Sequence, residues 1–325
     1  MTDKNIVLCE TDDRGIANVH LNRPHKNNAY NGEMIEKLLE VFEELSSDKT
    51  LKAVVIRGNG KHFQAGADLE WLKEIGKLTK DENFIVSKKT ALAIKGLTEF
   101  PRPVISIVHG GCFGGGTGIV AASDIVIAET KSIFSISETR WGVMAGIIIP
   151  QLNKSIGVRN VRRYAISSER FNADEAKRIG LVHEVLDQQF IDEKLESILD
   201  HILLCGPEAI YQTKMRALKD ANLILNDKEF NELVEEHSLK RMSDEAFEGL
   251  NSFSEKNEIQ VKGIGLENFE SNLIVWEGNF YALDESLQGS FKRLKNNRAI
   301  VKEFLINKGI KKSAIIFGAV STEEK

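Results

Sequence analysis

An α/β fold is what this 325-residue sequence predicts, on three observations. Short apolar runs of strand length alternate with longer segments of helical spacing through the first half. Those runs end in glycine-containing turns, and the second half is dominated by amphipathic helical patterns.

Taken in order, Ile16–Leu21 is rich in β-formers. Gly32–Leu45 then spaces Met34, Ile35, Leu38, Leu39, Val41, Phe42 and Leu45 as a helix does. Ala53–Ile56 and Val104–Val108 are uninterrupted apolar runs, which suits strands buried on both faces. A helix between Asn83 and Phe100 joins them. Ser106–Gly110 runs through Gly111–Gly116 into an apolar helix at Ile119–Ala122, so a strand leads by a glycine turn to a helix N-terminus with unbonded N–H groups. The same order follows Val54–Ile56, where Gln64–Asp68 opens a second helix. Asn153–Arg163 is basic and helical, Asp174–Gly180 is helical, and Gly206-Pro207 starts a helix to Leu218. Leu225–Phe253 reads as a pair of amphipathic helices.

Composition narrows the function classes. With 42% hydrophobic residues the chain can bury a core, and 43 Lys+Arg against 48 Asp+Glu leave a net charge of −5, which argues against broad nucleic-acid binding. Cys9, Cys112 and Cys205 show neither a paired-cysteine motif nor His spacing, so no zinc site or disulfide framework is expected. The polar start Met-Thr-Asp-Lys-Asn lacks a signal core, and no apolar stretch is long enough to span a bilayer. A cytoplasmic protein without membrane attachment is the expectation, with no metal and no redox cofactor.

Three segments carry chemistry together: Gln64-Ala-Gly-Ala-Asp68, Phe113-Gly-Gly-Gly-Thr117 and Phe134-Ser-Ile-Ser-Glu138. The first two can each offer a bare N–H to a carbonyl oxygen gaining negative charge, and the third supplies a proton-transfer group. Either glycine turn alone would more simply serve helix–strand packing. Glu138 alone could be a solvated carboxylate near the capping residues Ser135 and Ser137. The phosphate-binding pattern Gly-x-x-x-x-Gly-Lys-Ser/Thr is absent.

This ordered set resembles the crotonase superfamily of enoyl-CoA hydratases and isomerases. The likeness includes Ile16–Pro24 leading to Asn28-Ala29, Ala53–Gly58, Asp124–Ala128, Arg170–Ala176 and Gly180–Val182, and fades after Gly249–Phe253. It implies an α/β, crotonase-like ββα spiral core in residues 1–200, a C-terminal helical region in 201–255 that builds a homotrimer or a hexamer, and an atypical extension in 256–325. It also implies an acyl-CoA substrate, with CoA present only as part of that substrate. Its carbonyl would be held by the N–H groups of Ala67 and Gly115, with Glu138 as acid/base. CoA contacts would come from Lys26 and Asn27 and from Ala65, Gly66 and Asp68. Glu70 stands where some members carry a lysine.

Typical hydratases of the family use two glutamates, and here the first place is Gly118. The surroundings, from Gly66–Trp71 to Arg140–Pro150, look like the bacterial 3-methylglutaconyl-CoA and isohexenylglutaconyl-CoA hydratases of leucine and acyclic terpene breakdown. Their substrates carry a distal carboxylate. Arg140 is the first candidate to bind it and would lower the pKa of Glu138 if close; Lys73 and His62 come next. A surface ion pair is the simpler role for Arg140. A Δ3,Δ2-enoyl-CoA isomerase using the same glutamate is the alternative. A non-catalytic acyl-CoA- or RNA-binding protein, suggested by Arg159–Arg163 and Lys292–Arg298, is the alternative of another class.

Overall fold

A computed structural model describes residues 6–254 and 287–307 of the chain. The chain divides into two units, Met1–Ile259 and Gln260–Lys325. Strands of the first are β1 (Val7–Thr11), β2 (Ile16–Leu21), β3 (Ala53–Gly58), β4 (Val104–Val108), β5 (Gly111–Phe113), β6 (Ile125–Glu129), β7 (Ile133–Ser135), β8 (Phe171–Asn172) and β9 (Glu184–Leu186). Its helices are α1 (Gly32–Ser47), α2 (Leu69–Ile75), α3 (Lys80–Thr98), α4 (Gly115–Ala122), α5 (Ile149–Ser167), α6 (Ala173–Ile179), α7 (Gln188–Leu203), α8 (Pro207–Asp220), α9 (Asp227–Arg241) and α10 (Asp244–Ser254).

Two sheets carry the architecture. The larger has the order β1-β2-β3-β4-β6-β9, parallel except for the antiparallel β1–β2 pair, and the smaller has the order β5-β7-β8. A strand of the larger sheet is followed by one of the smaller and then by a helix, as in β4–β5–α4. After β3, Gln64 takes the place of the second strand by bridging to Cys112 of β5. These successive ββα turns are the predicted spiral. Every residue of β4 is buried, which is why its sequence is apolar without alternation.

The main core lies between the larger sheet and α1, α3 and α4. There Phe42 meets Phe100 edge-to-face with ring centroids 5.2 Å apart. Local signals set the helix starts: the Asn31 side chain accepts from Met34 N–H, and Thr79 with Glu82 forms a capping box on α3. The expected helical region at 201–255 is present as α8, α9 and α10, and its start falls inside α7. Helix α9 lies against α3, while α10 rests on α2 and on the 3-10 turn Glu138–Trp141. The C-terminal helices thus pack on the elements beside the same chain's glycine turns.

In the second unit the described element is α11 (Leu287–Asn307), which includes the basic stretch Lys292–Arg298. Two short apolar stretches of the extension expected at 256–325, Asn272–Trp276 and Ala314–Phe317, lie outside the described residues. Among the described residues no helix is long and apolar enough to cross a membrane.

Candidate active site

The two glycine turns are stitched together by backbone bonds. Gln64 N–H donates to Gly111 O at 3.2 Å, and Phe113 N–H donates back to Gln64 O at 2.9 Å. At Gly66 φ is +85°, and a Cβ there would lie 3.3 Å from Phe113 O, so only glycine lets the strands close. The buried Gln64 side chain locks the turn from both sides, accepting from Gly66 N–H at 2.8 Å and donating to Gly66 O at 3.0 Å.

Hydrogen-bond accounting then singles out one donor. Ala65 N–H is held by Asn27 O, Gly66 N–H by Gln64 Oε1, and Asp68 N–H by Tyr30 O. Between them, Ala67 N–H finds no acceptor among the described residues. The second turn gives the same outcome: Gly114 N–H donates to Ser135 O at 2.9 Å, whereas Gly115 opens α4 and its N–H has no partner within the helix. Two unspent donors, one at the positive end of a helix, border the same cavity.

Glu138 begins the 3-10 turn after β7. Its carboxylate lies against the second glycine turn, because a Cβ on Gly114 would stand 3.1 Å from Glu138 Oε1. Oε2 is buried without a hydrogen-bond partner. Burial pushes the carboxyl up from 4.5 to about 7, against the opposing pull of the backbone N–H groups of Glu138 and Ser137. Such a group is half protonated near neutrality and can both take and return a proton.

This corrects the expectation for Arg140. The guanidinium is exposed at the cavity rim and does not set the charge state of Glu138, which moves upward by desolvation. Capping by the neighbouring serines falls away: Ser135 Oγ donates to Ser168 O, and Ser137 makes no side-chain cap. His62 and Lys73 do not line the cavity; His62 Nδ1 instead accepts from Gly111 N–H at 2.8 Å.

Gly118 is explained by its neighbour. Any Cβ there would collide with Ile148 Cγ2 and stand 2.9 Å from Ile148 Cβ. A side chain of the turn before α5 occupies the space a first glutamate would need. Three carboxylates line the cavity among the described residues, and two are committed. Asp68 pairs with Arg23 at 3.1 Å and caps α2, and Glu70 pairs with Lys26 at 2.7 Å. Glu138 is the unpaired one.

The cavity encloses about 520 Å³. Lys26, Asn27, Ala65, Gly66 and Asp68, the residues expected to contact CoA, all border it, Lys26 with its charge balanced by Glu70. The arrangement could receive a thioester carbonyl at Ala67 and Gly115 with the adjacent carbons facing Glu138.

Several lining residues escaped the sequence reading. The Tyr30 ring fills the space beside Gly115, packs edge-on against Trp71 with centroids 5.9 Å apart, and has its phenol pushed above the usual range by burial and by Glu138. His237 and Arg241 enter from α9. A signal for Arg241 existed: Phe230, Val234, Ser238 and Arg241 share the buried stripe of that helix, and a cation on such a stripe is out of place. The histidines His20, His109 and His183 hold backbone or Asn59 groups near strand ends. Among the described residues no group of His, Cys, Asp and Glu could hold a metal ion. Of the basic stretch at Arg159–Arg163, Arg163 is paired with Glu169 at 2.7 Å.

Comparisons with known proteins agree with this geometry. The family model described as Enoyl-CoA hydratase/isomerase matches residues 11–263. A short-chain-enoyl-CoA hydratase of Clostridium acetobutylicum is 30% identical over 212 residues, 65% of this chain and 80% of that protein. A mitochondrial Delta(3,5)-Delta(2,4)-dienoyl-CoA isomerase of Homo sapiens is 32% identical over 214 residues, 62% of this chain and 65% of that protein. Among solved structures, an enoyl-CoA hydratase from Shewanella pealeana superposes with a TM-score of 0.64 at 29% identity, covering 77% of this chain and 94% of that one.

Proposed function

Because the chain belongs to the enoyl-CoA hydratase/isomerase family, we propose that it hydrates a 3-methylglutaconyl-type acyl-CoA thioester, with Glu138 as the single acid and base. The observation that carries this reading is the Glu138 carboxyl, buried against the Gly114 turn, unpaired, and poised near pH 7.

In the hydration direction the Glu138 carboxylate takes a proton from water as the water oxygen bonds to Cβ. Electrons move through the conjugated system onto the thioester oxygen, which Ala67 and Gly115 N–H groups stabilise; one such donor is typically worth about 3 kcal/mol. Protonated Glu138 then delivers the same proton to Cα. One carboxyl suffices because the proton it removes is the proton it returns. Lys26, Asn27, Ala65, Gly66 and Asp68 bind the CoA portion, and the substrate's branched, carboxylated acyl group places the reaction in leucine or acyclic terpene breakdown. The assembly expected with this chemistry is a homotrimer or a pair of trimers.

Among the described residues the cavity lining holds no second unpaired carboxylate, which favours one other reading. In a Δ3,Δ2-enoyl-CoA isomerase the same glutamate would move a proton between carbons without water. The test is loss of the conjugated thioester absorbance with 3-methylglutaconyl-CoA and with crotonyl-CoA, run in water enriched in oxygen-18. Rapid loss with the carboxylated substrate and label in the product is the expected result. Turnover without incorporated label would replace the hydratase by the isomerase, and inactivity on both thioesters would remove the hydratase reading.

A further inference from the structure

Arg241 is a buried cation of the cavity lining that the reaction above leaves unused. It closes α9, is only 3% exposed, and lines the same chamber as Glu138. Its Nε donates to Asn83 Oδ1 at 2.9 Å, and its Nη2 donates to Asn83 O at 3.3 Å and to Ser87 Oγ. All three acceptors are neutral. No carboxylate among the described residues forms an ion pair with it, and its Nη1 makes no hydrogen bond among them.

A buried cation held by dipoles alone carries a desolvation cost that a counter-charge would offset. Burial accordingly draws the Arg241 pKa down to about 10, which still leaves it charged at neutrality. Its neighbour on α9, His237, cannot compete for an anion: burial and Arg241 depress that imidazole to about 3, and its Nδ1 lies 3.1 Å from Ser87 Oγ. Tyr30 feels both the Glu138 carboxylate and the Arg241 guanidinium, so the two charged groups act on one buried ring of the lining. The chamber therefore offers a proton-transfer group at one place and an unmatched positive charge at another.

We propose that Arg241 binds a carboxylate carried at the far end of the acyl chain, so that the preferred substrates are CoA monothioesters of short dicarboxylic acids. This rests on the reading of the cavity as an acyl-CoA site and deepens it, assigning to Arg241 the role that sequence position suggested for Arg140. With Nε and Nη2 held by Asn83 and Ser87, Nη1 is the nitrogen left to donate to such a carboxylate.

The test is calorimetric binding of glutaryl-CoA and pentanoyl-CoA, saturated thioesters of equal chain length that differ in the terminal carboxylate and need no turnover. Wild type should bind glutaryl-CoA about tenfold or more tightly than pentanoyl-CoA. Arg241→Met should bring that ratio to about one while leaving pentanoyl-CoA affinity within about threefold, and Arg140→Met should preserve the ratio. If Arg241→Met does not fold, Arg241→Gln, which keeps amide donors toward α3 but no charge, gives the same readout. A wild-type ratio retained in the Arg241 variant would overturn the assignment and leave the dicarboxylate reading standing. Equal affinity of wild type for both thioesters would overturn both, while tight pentanoyl-CoA binding would still support an acyl-CoA site.

Discussion

At the rim of the cavity Lys26 and Glu70 stand 2.7 Å apart with 40% and 69% of their side chains exposed, whereas deeper in the same cavity Glu138 Oε2 and the Arg241 side chain are buried and neither residue has an ionic partner among the described residues. The rim pair is screened and worth little, of order 0–1 kcal/mol. The inner groups hold desolvation energy that their surroundings do not return. Charges that exist for the fold are neutralised by the fold. Charges left unmatched in a chamber open to a ligand mark where the chemistry and the recognition reside.

The contrast breaks most directly at Glu138. Glu138→Gln should lower turnover about 10³-fold while CoA thioester affinity stays within a few-fold, since only the proton-transfer group is lost. Steady-state kinetics beside calorimetry measures both. Next in size is the oxyanion turn. Gly66→Ala pushes a Cβ toward Phe113 O at a φ of +85° and should reduce kcat about 10²-fold by displacing the Ala67 N–H. Ala67→Gly keeps that N–H and should change kcat less than about threefold. Equal losses in the two variants would mean that side-chain packing, not the donor, matters.

The same Glu138→Gln variant should be more stable than its parent in a manner set by pH. Below pH 4.5 the carboxyl is protonated in both folded and unfolded chains and contributes no difference. Between 4.5 and about 7 the unfolded chain ionises first, so the parent loses stability as pH rises, and above about 7 the deficit is constant. Discounted for residual exposure, the gain on substitution is about 2 kcal/mol at pH 8 and near zero at pH 4. Urea melts at the two values check it, and a larger gain at acid pH would contradict the buried, unpaired state.

Smaller still is Gly118→Ala, whose Cβ meets Ile148 and should cost about 1–3 kcal/mol. In an Ile148→Ala background that penalty should shrink, a coupling readable from a double-mutant cycle. Least of all, Lys26→Met and Glu70→Gln should each alter stability by under about 1 kcal/mol, with salt dependence lost in either variant.

Much of this is legible in the amino-acid sequence. Val104–Val108 and Ala53–Ile56 betray themselves because strands covered on both faces cannot alternate, and the glycine turns do so because no other residue lets two backbones approach as Gly66 and Phe113 do. The three-residue strands β5 and β7 are too short to show a period, and β1 is half exposed at the sheet edge. Glu138 and the two donors were legible as an ordered set. Whether Arg140 acts on Glu138, two positions away, stays conditional on closeness in the sequence, because nearness along a 3-10 turn says nothing about which way each side chain faces; the Glu138 carboxyl is raised by desolvation instead. Arg241 and Tyr30 reach the cavity through contacts between segments far apart in sequence, information that local pattern does not hold.

Helices α9 and α10 have a consequence in time. Backbone around Trp141 and Gly142 packs directly on Glu245, Ala246 and Gly249 of α10, and Arg241 arrives on the last turn of α9. A chain emerging from the ribosome at roughly 5–20 residues per second can close its spiral of strands well before these helices exist. Until residue 254 has been made, the Glu138 turn lacks the surface it rests on and the chamber lacks its cation. The walls of this cavity are therefore the last thing the first unit acquires, and the candidate acid/base and the candidate anion-binding group come into place together.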